Sequence, residues 1–177
     1  MHRLFIAIRP PAAIRAQLLG LMGGIAGARW QDDDQLHLTL RFIGEVDRHL
    51  AADSAAALGS VHQPSFDIAL SGIGEFDRKG RRDALWAGVT PHDALTALHN
   101  RIDQALVRIG IAPETRAYLP HITLARFGRT GGGIEAFAAS HGGLSSAPFP
   151  VTHFGLFEST LGGEGARYEL VERYALG

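Results

Sequence analysis

His37-Leu38-Thr39-Leu40-Arg41-Phe42-Ile43-Gly44 and His121-Ile122-Thr123-Leu124-Ala125-Arg126-Phe127-Gly128 carry the same short pattern twice, nearly half a chain apart. The histidine, the threonine, the second leucine and the closing glycine coincide. With 9 histidines in 177 residues, random placement yields roughly 0.05 occurrences of His-x-Thr-Leu, so a pair is expected in about one chain in a thousand. A duplicated lobe accounts for the echo better than coincidence. In an extended strand alternate side chains share a face, so His37 and Thr39 point one way while Leu38 and Leu40 point the other, and the second copy repeats this. Each lobe therefore offers one imidazole and one hydroxyl. If a pseudo-twofold axis relates the lobes, the two pairs face each other across a groove.

Working outward, Leu4, Ile6 and Ile8 alternate with Phe5, Ala7 and Arg9 as a half-buried first strand. Pro10 and Pro11 suit a helix start, and Ile14, Leu18, Leu21 and Met22 keep helical spacing until Gly23 and Gly24. The first motif predicts a strand over Leu36 to Ile43. Asp47 is placed to cap an Ala-rich helix reaching about Ser60. Phe66 to Ile73 and Ala84 to Val89 read as a hairpin joined by a turn-rich basic segment, Phe76 to Asp83. After Pro91, Leu95, Leu98, Ile102, Leu106 and Ile109 form one apolar stripe closed by Gly110. A strand at His121 to Phe127, a Gly-rich connection (Gly131, Gly132, Gly133), a short helix at Ile134 to Ala139, and strands at Phe149 to Glu158 and Arg167 to Tyr174 complete the chain. This order lacks the strict alternation of a parallel sheet and predicts an α+β fold. All 177 residues read as one bilobal domain.

The chain is 46% apolar and 20% charged with a net charge of −1, ordinary globular values that argue against a protein coating nucleic acid by bulk electrostatics. Lys79 is the only lysine; arginine, whose planar fork suits bidentate phosphate contacts, supplies the other cations. There is no cysteine, which excludes disulfides and thiolate chemistry, and a reducing cytoplasm is the expected compartment. Arg9, Pro10 and Pro11 interrupt the N-terminal apolar run well short of a leader or a membrane span.

Two imidazoles and two hydroxyls facing one another suit an in-line displacement at a phosphodiester. One imidazole accepts a proton from the attacking water, the other gives one to the leaving alkoxide, and the hydroxyls hold the non-bridging oxygens. A zinc site usually adds a third His or carboxylate at short spacing, which neither motif has. A serine nucleophile lacks its Gly-x-Ser-x-Gly elbow. His2, His49, His62, His92, His99, His141 and His153 have no repeated context and read as structural or surface residues. Arg78, Lys79, Arg81 and Arg82 read as a solvated hairpin tip, with contact to an RNA backbone as the sharper alternative.

These motifs resemble the two-histidine phosphoesterases, and within them the RNA 2′,3′-cyclic phosphodiesterases, also called 2′-5′ RNA ligases. Arg3-Leu4-Phe5-Ile6-Ala7-Ile8, Trp30, the first motif with Glu45, Leu85-Trp86-Ala87-Gly88-Val89, Pro120 with the second motif, Glu158-Ser159, Tyr168 and Tyr174 carry the likeness over nearly the whole chain. The resemblance implies a bilobal α+β fold with two antiparallel sheets, flanking helices and a groove between. It implies opening of an RNA 2′,3′-cyclic phosphate to a 2′-phosphomonoester, with a reverse-type joining through a 2′-5′ linkage, and neither metal nor other cofactor. The expected partner is an RNA end, with the chain a monomer. His37 then takes the role of acid and His121 that of base, with Thr39, Thr123 and Arg126 on the phosphate. Strict alternation puts Arg126 on the face opposite His121, so a bulge or strand end after Leu124 is needed to turn it. Phe5 and Phe42 are candidates to stack on a base. Phe42 shares parity with Leu38 and Leu40 and reads as core, leaving Phe5 as the better placed.

Two alternatives compete. Another two-histidine phosphoesterase, acting on 2′-5′ oligonucleotides or a small cyclic phosphate, would share the motifs and differ in the groove walls. A non-catalytic module binding RNA ends would be expected to lose a histidine or threonine, and all four are present.

Overall fold

The computed structural model describes residues 1–128 and 132–177. In chain order its elements are β1 (His2–Ile8), α1 (Ala12–Leu21), β2 (Ala28–Trp30), a 3₁₀ turn (Asp33–Gln35), β3 (Leu38–Val46), α2 (Arg48–Leu58), β4 (Phe66–Arg78), β5 (Arg81–Thr90), α3 (Asp93–Val107), β6 (His121–Phe127), α4 (Glu135–His141), β7 (Phe149–Val151), β8 (His153–Gly162) and β9 (Gly165–Ala175). The nine strands form one antiparallel sheet in the order β7-β4-β5-β6-β3-β1-β8-β9, with β2 pairing Ala125 to Phe127 of β6, beyond the point where β3 leaves it. The expected pair of sheets is present as two half-sheets. They meet where β3 and β6 share a single pairing, Leu38 with Ile122.

Local chemistry explains most of these elements. The Asp47 carboxylate accepts from the Leu50 N–H at 2.8 Å and starts α2 as expected. In α3, Leu95, Leu98, Ile102 and Leu106 are all fully buried; removing each from water is worth about 2 kcal/mol and fixes the face that packs on β3. Gly110, at φ 98°, closes that segment in a left-handed conformation. Helices α2 and α3 lie beneath the β3–β1–β8–β9 half. Helix α4 packs on β4 in the other half, and Gln17 Nε2 on α1 donates to Ser145 O at 2.8 Å just beyond α4.

Several elements differ from the sequence reading. Strand β2, three residues long, is too short for any periodicity to show. The first motif's strand begins at Leu38 because Asp32 caps the 3₁₀ turn in a reciprocal box with Gln35, which takes the preceding residues out of the sheet. The basic segment is mostly strand. Only Lys79 and Gly80, at φ 53° and 74°, make the turn, the two-residue kind that matches strand twist. The run predicted as one strand from Phe149 is two: β7 pairs with β4 and β8 with β1, in opposite half-sheets. The apolar positions change phase there, from Phe149 and Val151 to Phe154 and Leu156, which marks the change of partner. Of the Gly-rich connection, Gly131 lies outside the described residues, while Gly132 N–H donates to Ala26 O at 2.7 Å.

Candidate active site

Leu38 and Ile122 are buried at 1% and 0% exposure, so alternation turns His37, Thr39, His121 and Thr123 to the opposite, open face. All four are partly exposed. The strands run antiparallel, so His37 and Thr123 flank the seam at one end and Thr39 and His121 at the other. The structure thus brings together both repeats around one pseudo-twofold axis.

Both imidazoles are held in the same way. His37 Nδ1–H donates to the Gln35 carbonyl at 2.6 Å, and His121 Nδ1–H donates to the Leu119 carbonyl at 2.7 Å. In each case the acceptor is two residues upstream. A carbonyl can only accept, so Nδ1 carries the hydrogen and Nε2 is the nitrogen left for proton transfer. The Gln35 amide in turn donates to Ala166 O at 3.0 Å, tying the first support to β9. Pro120 restricts Leu119 to extended conformations and so supports the second.

Burial disfavours the charged form and holds His37 down to about 4, helped by Arg126, Arg9 and His121 and opposed by the Gln35 carbonyl. His121 is lowered by the same desolvation, with Arg126 adding to it. The positive field of Arg126 reaches both histidines and Tyr168.

Arg126 reaches that face through a bulge. The register passes from Thr123 opposite Trp86 to Ala125 opposite Leu85, leaving Leu124 as the extra residue. Ala125 and Phe127 are therefore buried and Arg126 is exposed. The first motif does the same: Thr39 pairs with Ala7 and Arg41 with Ile6, leaving Leu40 as the extra residue. Phe42 is then turned out, 55% exposed, while Phe5 is 3% exposed. The reading of Phe42 as core is overturned, because the bulge flips parity after Leu40; Phe5, its cross-strand partner, lies beside His37 on the same side but is covered by Phe157 and Tyr168. Phe42 and Arg126 occupy equivalent positions in the two repeats.

Aromatic rings flank each imidazole. Phe5 lies 4.9 Å from His37 and Tyr168 meets it edge-on at 5.0 Å. Phe76 meets His121 edge-on at 4.8 Å, with Trp86 at 5.9 Å. Phe5 is covered in turn by Phe157, stacked at 5.4 Å, and approached by Phe42 at 6.1 Å.

A third set of residues, invisible in the sequence, holds the first bulge. His99 Nδ1–H donates to Leu40 O at 2.6 Å, Tyr118 Oη–H donates to Thr39 O at 3.0 Å, and the two rings stack at 4.3 Å. The Arg41 guanidinium binds Asp103 at 2.9 Å, Ala112 O at 2.6 Å and Phe42 O. In the second repeat the equivalent carbonyl, Leu124 O, accepts from the backbone of Gln31 beside β2 at 2.8 Å. Side chains from α3 and the loop after it therefore replace a missing neighbouring strand. His99 is buried at 6% and is structural as read, though its partner Leu40 is named by no local pattern.

In the basic tip Arg82 is engaged with Glu75 at 2.6 Å and with Gly132 O and lies over the Phe127 ring at 5.4 Å, and the tip, Phe127 and Gly128 line a depression of about 580 Å³. Among the described residues no three His, Asp or Glu side chains form a metal-binding cluster, and no helix is long and apolar enough to cross a membrane.

The 2′-5′ RNA ligase superfamily model matches residues 11–163. The RNA 2′,3′-cyclic phosphodiesterase of Aeropyrum pernix is 38% identical over 96 residues, 54% of this chain and 54% of its own. That of Escherichia coli K12 is 32% identical over 179 aligned positions, covering 99% of this chain and 97% of the relative. The crystal structure of E. coli LigT complexed with 3′-AMP superposes with a TM-score of 0.78 at 29% identity, covering 99% of this chain and 97% of the other. Fold, repeated motifs and full-length sequence similarity agree: this chain belongs to the 2′-5′ RNA ligase superfamily.

Proposed function

We propose that this protein is an RNA 2′,3′-cyclic phosphodiesterase working by two-histidine acid and base catalysis, with the whole chain acting as one bilobal cytoplasmic monomer. The observation that carries the reading is the matched pair of imidazoles, each fixed as its Nδ1–H form by a carbonyl two residues back, on either side of the Leu38–Ile122 pairing. The E. coli and A. pernix relatives bear the corresponding name.

Water attacks phosphorus, the P–O3′ bond breaks, and a 2′-phosphomonoester with a free 3′-hydroxyl is left. His121 Nε2 takes the water's proton from the side opposite O3′, and His37 gives its proton to O3′. Burial keeps both imidazoles low. A phosphate anion between them opposes that effect and raises both, so the acid gains its proton together with the substrate. Thr39, Thr123 and Arg126 receive the non-bridging oxygens, where charge accumulates in the transition state. The terminal base stacks on the exposed ring of Phe42, which Phe5 backs.

The test is to incubate the protein with an RNA oligonucleotide ending in a 2′,3′-cyclic phosphate, in the presence of EDTA, and identify the new end group. A 2′-phosphate formed at an undiminished rate is expected. A 3′-phosphate, or turnover that needs an added divalent ion, would overturn the mechanism.

A further inference from the structure

We propose that Trp86 and Phe76 form a second nucleobase platform on the His121 side, which holds the nucleoside carrying the 5′-hydroxyl in the 2′-5′ joining reaction for which the superfamily is named, or in its reverse. The inference rests on the reading above and extends it to a second substrate.

Trp86 and Gly74 are direct cross-strand partners on β5 and β4. A Cβ built on Gly74 would overlap the six-membered ring of Trp86, so the indole lies flat across the glycine and is pressed to the sheet. A glycine inside a strand commonly marks such a close approach. Trp86 is also opposite Thr123, which sets it on the open face beside the second motif. Phe76 packs against it at 5.4 Å, and both rings remain partly exposed. The indole Nε1–H is buried and has no hydrogen-bond partner among the described residues, so no hydrogen bond explains why this ring lies here. Buried unsatisfied donors are uncommon enough that each calls for a reason, and a role at a functional site is one.

The position matters because of what His121 does. In hydrolysis its Nε2 receives the proton of attacking water. In joining, a 5′-hydroxyl takes the water's place: O5′ bonds to phosphorus, the P–O3′ bond breaks, the O5′ proton passes to His121 and the proton of His37 passes to O3′. The product is a 2′-5′ phosphodiester with a free 3′-hydroxyl, and no further reactant is needed. The nucleoside bearing that hydroxyl must then lie on the His121 side, where Trp86 and Phe76 are. The nucleoside bearing the cyclic phosphate lies on the His37 side, against Phe42. An aromatic face accepts any base, so the platform is expected to hold the second nucleoside without reading its sequence.

The experiment compares cleavage of a 2′-5′-linked diadenosine monophosphate, the reverse of joining, with cleavage of the same compound lacking the base on its 5′-O nucleoside. Hydrolysis of adenosine 2′,3′-cyclic phosphate is followed in parallel. In the wild type, loss of that base is expected to lower kcat/KM roughly tenfold. In Trp86→Leu the two dinucleoside compounds should be cleaved at nearly equal rates. Equal cleavage by the wild type, or an undiminished preference in Trp86→Leu, would overturn the platform, and the first comparison needs no variant. Turnover of the cyclic phosphate with no cleavage of either 2′-5′ compound would also overturn it and leave the hydrolytic reading standing. Failure on all three substrates would bring down that reading and this inference together.

Discussion

Leu38 and Ile122 are Cα partners at the seam between the half-sheets, and they are equivalent residues of the repeat, each directly following its histidine. An antiparallel pairing of equivalent residues has a local twofold axis through it. That axis makes two separate motifs into one site: each histidine lies at the same end of the seam as the other repeat's threonine. It also gives each histidine the same support, a carbonyl two residues upstream, while the surrounding rings and the Phe42/Arg126 pair break the symmetry.

The roles of the two imidazoles separate on a substrate whose O3′ is replaced by a good leaving group. Such a group departs without protonation, so His37→Ala should recover much of its lost rate on it and His121→Ala should not. With the natural substrate, kcat should show a bell-shaped pH dependence whose limbs belong to the coupled pair. Recovery in His121→Ala instead would exchange the assignments.

Acid stability should also report on His37. Its pKa in the folded chain is about 4 against an ordinary 6.5, so between those values the unfolded chain holds more protons and stability falls as pH falls. The gap corresponds to at most about 3 kcal/mol. On going from pH 7 to pH 5, Tm of the wild type should drop by about 5 °C more than Tm of His37→Gln. Equal drops in a thermal denaturation series would show that His37 is freely hydrated.

Thr39→Val and Thr123→Val keep side-chain volume while removing the hydroxyl. Each should lower kcat on the order of 10²-fold, as expected for one lost hydrogen bond to transition-state charge. Wild-type turnover in both variants would place the hydroxyls away from the phosphate.

Tyr118 should act through Thr39. Tyr118→Phe keeps the ring on His99 and removes only the bond to Thr39 O, so kcat is expected to fall several-fold with little change in KM or Tm. In a Thr39→Val background the same change should cost much less, because the two residues serve one function. Fully multiplicative losses, or a lowered Tm with unchanged kcat, would reduce Tyr118 to a stability role.

Much of the site was legible because it is local. His-x-Thr on a strand puts both side chains on one face whatever the rest of the chain does, and a pattern found twice points to a pair. Asp47 as a cap and the apolar stripe of α3 were equally plain, since a cap and a helical face each depend on residues a few positions apart. The facing of Phe42 and Arg126 was not local. It depends on Leu40 and Leu124 being left out of register with β1 and β5, and a bulge belongs to a pair of strands, only one of which the motif contains.

From its sequence alone this chain determined that two histidines and two threonines would share strand faces in duplicate, because side-chain alternation is a property of the single strand. Only the tertiary structure decided that Leu38 would meet Ile122, that the bulges would turn Phe42 and Arg126 outward, that His99 and Tyr118 would stand in for a missing strand, and that Trp86 would lie across Gly74. Those outcomes arise from hydrogen bonds and packing between segments far apart in the chain, which no periodicity within one segment can specify.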